Sequence, residues 1–243
     1  LPAPLRAELG AYWARLGQME HASVAAFARF ALHLLALGAP SELVAGAQAA
    51  MGDELEHARL CFGLAQAISG RPVGPGPLAL EGAFDDASLA GVVRLAVVEG
   101  CVGETVAALE AAEAHDHATE PGVVAVLARV WADEQRHAEL AWRFVRWALE
   151  AGGPAVLEAA AEAFARALDE ADALDADVGE GPGAPSEAEA HALAFGRLPE
   201  RLRAGLRRRV LREVVGPCAE QLLTATELAG APSSQSAPIS ARA

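Results

Sequence analysis

The chain has 243 residues, a formal net charge of −14 and 53% hydrophobic residues, few of them aromatic. That length fits one domain with an appendage and excludes a second full domain. The acidic balance argues against a nucleic-acid or anionic-membrane binder, and the wealth of alanine, leucine and glutamate predicts an all-α protein.

Apolar runs are broken by Glu, Asp, Arg or His before they reach the ~18 residues of a membrane span, so a soluble protein without a membrane partner is expected. Cys61, Cys101 and Cys218 are too few and too scattered for a disulfide framework or a Cys-x-x-Cys site, and read as small core residues. The chain begins at Leu1, which suggests a trimmed product. Its location, cytoplasmic or exported after loss of a leader, stays open.

The first predicted helix runs from about Pro4 to Leu37, with the stripe Trp13, Leu16, Val24, Phe27, Phe30 and Leu34, and stops at Gly38-Ala39-Pro40. Ser41 is read as the cap of a second helix that carries Leu43, Val44, Met51, Leu55 and Leu60 and ends near Ser69-Gly70. A proline- and glycine-rich crossover follows, long enough to carry the chain the length of a bundle. A third helix is expected over about 87–115 and a fourth over 120–150, with Pro121 in its first turn. Residues 1–150 thus form a bundle of two helix hairpins. Residues 151–228 add helices over about 154–174 and 199–228 around an acidic connector at 175–187, and 229–243 read as a disordered tail.

Within this frame one pattern occurs twice. Asp53-Glu54-Leu55-Glu56-His57 on the second helix matches Asp133-Glu134-Gln135-Arg136-His137 on the fourth. Residues three apart share a helix face, so Glu54 with His57, and Glu134 with His137, can address one point. A carboxylate-bridged dimetal centre needs a further glutamate on each preceding helix. Glu20 lies 34 residues before Glu54 and Glu99 lies 35 before Glu134, so the chain reads as a duplicated hairpin. Glu99 is flanked by apolar residues on nearly every side, where an unpaired carboxylate is costly and a divalent cation is an efficient partner.

Four carboxylates and two imidazoles suit iron, or manganese in one or both positions. Asp53 and Asp133 can accept the second N–H of the metal-bound imidazoles. Glu104, about 140° from Glu99 on an ideal helix, becomes a supplementary ligand only if a π-bulge realigns it. Beyond metal ligands no catalytic residue is assigned. His21, His33, His115, His117 and His191 lack the repeat's spacing, and the tryptophans Trp131, Trp142 and Trp147 are read as core. The arginines between Arg197 and Arg212 are expected to pair with Glu and Asp of the bundle.

The ligand spacing over about residues 8–150 resembles the bacterioferritins and rubrerythrins of the ferritin-like superfamily. The resemblance implies a ferritin-like four-helix bundle with two iron ions, Glu54 and Glu134 bridging, and Glu20 with His57 and Glu99 with His137 completing one metal each. It also implies that the aspartates cross over, Asp53 to His137 and Asp133 to His57. Leu55 replaces the haem-binding methionine of bacterioferritins, so no haem is expected. With no Cys-x-x-Cys module, an external electron donor is required, and Phe27 stands where both groups have a tyrosine. The implied activity is a di-iron oxidoreductase acting on dioxygen or peroxide, with iron binding and ferroxidase handling of Fe(II) as the alternative. A homodimer is compatible with either.

Overall fold

A computed structural model describes residues 1–177 and 186–230, and among them the regular structure is entirely helical. Helix α1 spans Ala3–Leu37 and is closed by Gly38 in the left-handed conformation (φ 66°), which lets the Ala39 N–H reach back to the Leu34 carbonyl. After this tight turn α2, Ser41–Ser69, returns along α1. Pro40, not Ser41, holds its cap position, and Ser41 lies in the first turn with its hydroxyl near Glu42.

From Arg71 to Ala87 the chain forms no regular element, in keeping with its proline and glycine content. Ser88 then caps the third helical rod by accepting from the Gly91 N–H. This rod has three parts: α3, Leu89–Leu95; a π-helical segment, Ala96–Glu104; and α4, Thr105–His117. Helix α5, Pro121–Ala151, follows with proline in its first turn, where the missing N–H costs no hydrogen bond.

Helix α5 packs along the π segment and α4, and α2 crosses to α5, so the two hairpins enclose one apolar interior. Trp13, Leu34, Val97, Cys101, Phe144 and Val145 lie almost fully buried there. The leucine, valine and phenylalanine side chains among them each contribute roughly 1.5–3 kcal/mol by leaving water. Gly100 has a specific reason to be glycine: an added Cβ would stand 2.4 Å from the Ala141 Cβ, so the π segment approaches α5 too closely for a side chain.

Helix α6, Pro154–Asp177, lies against α3 and the π segment. A short α7, Glu187–Ala194, begins where the expected connector ends and occupies a stretch to which no helix was assigned. Its signal was in the sequence: Ser186 and Glu189 form a reciprocal capping box. The single helix expected over 199–228 is instead α8, Glu200–Val210, a π turn at Leu211–Val215, and α9, Gly216–Gly230. Pro217 explains the break, because it offers no N–H and its ring crowds the carbonyl four residues earlier. Residues 178–185 of the connector and 231–243 of the tail lie outside the described residues.

Arg197, Arg201 and Arg203 pair with Glu8, Glu189 and Glu110. Trp13 donates to the Phe195 carbonyl at 3.1 Å, and Tyr12 reaches the Gly196 carbonyl at 3.4 Å, which ties the C-terminal helices to α1. Cys61 and Cys101 are core residues, but Cys218 is exposed on α9, and Leu55 of the expected apolar stripe is exposed as well. No described helix is long and apolar enough to cross a membrane.

Candidate metal centre

Glu54 and His57 on α2, Glu134 and His137 on α5, and Glu20 on α1 converge between the hairpins. Regular α-helix suffices for these five, since a spacing of three residues keeps each Glu and His on one face. Two overlapping groups result. Glu20, Glu54, His57 and Glu134 bring one ligand atom each within 4.8 Å of one another, and Glu54, Glu104, Glu134 and His137 do the same. Glu54 and Glu134 belong to both groups.

The sixth position corrects the sequence reading. The structure does not bring Glu99 to the cluster: its side chain is 45% exposed and forms an ion pair with Arg29. Glu104 takes the inward position instead. Each π turn absorbs one residue more than an α turn, which rotates the following helix by roughly 100°. The π segment ends at Glu104, so the register change falls between the two glutamates. The apolar neighbours of Glu99 were a misleading sign of burial, since Val98 beside it is itself exposed.

Both imidazoles point Nδ1 inward. His57 Nδ1 stands 3.6 Å from Glu134 and 3.8 Å from Glu20 and Glu54, and His137 Nδ1 stands 3.0 Å from Glu54 and 3.4 Å from Glu134. Their Nε2 atoms face outward to aspartates of the opposite hairpin. Asp133 Oδ2 lies 3.0 Å from His57 and Asp53 Oδ2 lies 3.4 Å from His137. Such contacts fix the ring orientation and the tautomer.

Two arginines not singled out from the sequence complete this outer layer. Arg129 donates to Asp133 at 2.7 Å, and Arg136 donates to Asp133 at 2.7 Å and to Asp53 at 3.0 Å. The signal was available, because Arg129 and Arg136 sit four before and three after Asp133 on one helix face. Burial opposes ionisation of Asp133, but Arg129, His57 and Arg136 hold its carboxyl down at about 2.

Inside, charge is unbalanced. Burial raises Glu20 to about 7, and burial together with Glu134 raises Glu104 well above the usual carboxylate range. Burial alone would depress His57, yet Glu134, Glu20 and Glu54 hold it up at about 12, and Glu134 and Glu54 likewise raise His137 to about 9. Four carboxylates around one point draw in positive charge, as protons or as metal.

Hydrogen bonding does not satisfy the cluster. Both carboxylate oxygens of Glu54, one oxygen of Glu134 and the Nδ1 atoms of His57 and His137 are buried without a hydrogen-bond partner. Five such atoms around one point are costly unless a further group ties them together. A metal ion could take up these atoms directly, since carboxylate oxygens and imidazole nitrogens are both metal ligands.

The chain matches no family model, no curated protein and no solved structure.

Proposed function

We propose that the chain is a ferritin-like di-iron protein that reacts with dioxygen or peroxide. The observation that carries the proposal is the pair of four-residue groups sharing Glu54 and Glu134, in which five buried atoms of Glu54, Glu134, His57 and His137 make no hydrogen bond. On this reading Glu54 and Glu134, common to the two groups, would serve both ions, with Glu20 and His57 completing one set and Glu104 and His137 the other. This departs from the ligand set that the resemblance implied only in the exchange of Glu99 for Glu104.

When bound, two ferrous ions supply the electrons for reducing an oxygen–oxygen bond. The protein's residues do the rest. Asp133 and Asp53 hold the imidazoles with Nδ1 inward, and the Arg129–Arg136 clamp holds the aspartates. Phe27, in edge contact with the His137 ring at 5.0 Å, and Phe30, in edge contact with Phe144, wall the centre on the apolar side. An external donor is proposed to return electrons.

Anaerobic loading with Fe(II) followed by metal analysis tests the reading. About two ions per chain are expected, and a chain that keeps no metal after loading overturns it. Turnover of Fe(II) far beyond that stoichiometry under air would instead assign the protein to iron handling, with Fe(II) as substrate.

A further inference from the structure

Glu99 and Arg29 lie outside the centre but beside it. A small cavity of about 50 Å³ runs between α1, the π segment and α5, and its lining includes both residues together with His33, Glu104 and His137. One end of that lining is at the surface, where the Glu99 side chain is 45% exposed, and the other reaches His137, which is 2% exposed. The remaining wall is largely apolar, with Phe27, Phe30, Leu95 and Leu140 among its residues.

His33 is the residue that asks for an occupant. It is 3% exposed, its Nε2 has no hydrogen-bond partner, and the Phe84 ring from the crossover stands edge-on against it at 5.8 Å. A buried polar atom left unpaired costs about 1–3 kcal/mol, and a ligand able to hydrogen-bond removes that cost. Burial, with Arg29 adding to it, pushes the imidazole below its ordinary value, so it stays neutral and offers one donor and one acceptor.

Size and polarity limit what fits. A single water needs roughly 10–15 Å³ of such space, so the cavity takes about three to five atoms of that size. A charged molecule would lose its hydration against a largely apolar wall, while Arg29 and Glu99 already neutralise each other.

We propose that this cavity is an access pocket of the carboxylate–histidine centre, closed toward solvent by the Arg29–Glu99 ion pair and anchored inside by His33. It admits an uncharged, hydrogen-bonding molecule of two or three heavy atoms. The proposal rests on the metal-centre reading for its purpose, but the pocket can be tested without metal.

In the metal-free full chain, the ring nitrogen signals of ¹⁵N-labelled His33 are followed by NMR during additions of methanol or tert-butanol. Methanol is expected to shift them saturably and tert-butanol to leave them unmoved. Glu99→Ala should open the pocket to both alcohols, and Ala26→Leu, which fills the lining, should abolish the methanol response. Equal responses to the two alcohols, no response to either, or a Glu99→Ala protein that still excludes tert-butanol would overturn the proposal.

The Fe(II)-loaded chain gives a second reading by stopped-flow. With two ferrous ions bound, cleaving each hydroperoxide O–O bond would take one electron from each ion and two protons from the buffer, leaving two ferric ions and either two waters or water and tert-butanol. Hydrogen peroxide should react at least about tenfold faster than tert-butyl hydroperoxide, and Glu99→Ala should narrow that gap to about threefold or less. Equal rates in the unaltered chain count against the pocket. Failure to bind iron counts against the centre and leaves the alcohol experiment to decide on the pocket.

Discussion

The two halves of the centre present similar ligand sets on different backbones. In the first half, Glu20 comes from an uninterrupted α-helix, whereas in the second the matching glutamate, Glu104, comes from the end of a π segment. The sequence repeat points to Glu99 for that position, and the structure turns Glu99 outward to Arg29. Equal spacing along a chain therefore does not guarantee equal position in space. One extra residue in a turn moves everything beyond it to another face.

The largest expected effect falls on the residues the halves share. Glu54→Ala should reduce iron from about two ions per chain to none, because both groups lose a ligand. Retention of one ion would show that the halves are independent. Glu104→Ala should leave about one ion, while Glu99→Ala keeps two, and the reverse result would restore the straight-helix register. Asp133→Ala should weaken metal affinity by roughly 10–100-fold and Asp53→Ala by less, since the Asp133 contact to its imidazole is the shorter. Competition with a metallochromic chelator measures both.

Acidity should act on both halves. A ligand with a raised pKa binds metal only after losing its proton, so affinity is full above that pKa and falls below it, by about tenfold per pH unit per proton. Glu20 is raised to about 7, and Glu104 lies well above the usual range. Each half pairs a raised glutamate with a raised imidazole, Glu20 with His57 and Glu104 with His137, so both halves should lose the proposed metal as pH falls. Metal retention of Glu20→Gln and Glu104→Gln across a pH series measures what each glutamate adds to that loss. The smallest effect is on stability: Gly100→Ala, which drives a Cβ against Ala141, should cost about 1–3 kcal/mol in denaturant unfolding.

The legible part of the sequence was whatever rests on a constant α-helical period. The four long helical rods and the convergence of Glu20, Glu54, His57, Glu134 and His137 follow from that period alone. The exchange of Glu99 for Glu104 depends on a register change that leaves no unambiguous mark: Gly100 and Gly103 sit at the spot, but glycine has several reasons to occur in a helix. Pro217 and the Ser186–Glu189 capping box marked the breaks in the C-terminal region more openly. Arg129 and Arg136 were hidden for another reason. An arginine near an aspartate on a helix is commonplace, and only the fold shows that these aspartates back the buried imidazoles.

Glu54 comes from one hairpin and Glu134 from the other, and each serves both groups. The imidazoles are likewise steadied across the divide, His57 by Asp133 and His137 by Asp53. Neither hairpin carries a self-sufficient cup for one ion. On the proposed reading, filling the centre would stitch the two hairpins together, much as a rivet joins two plates.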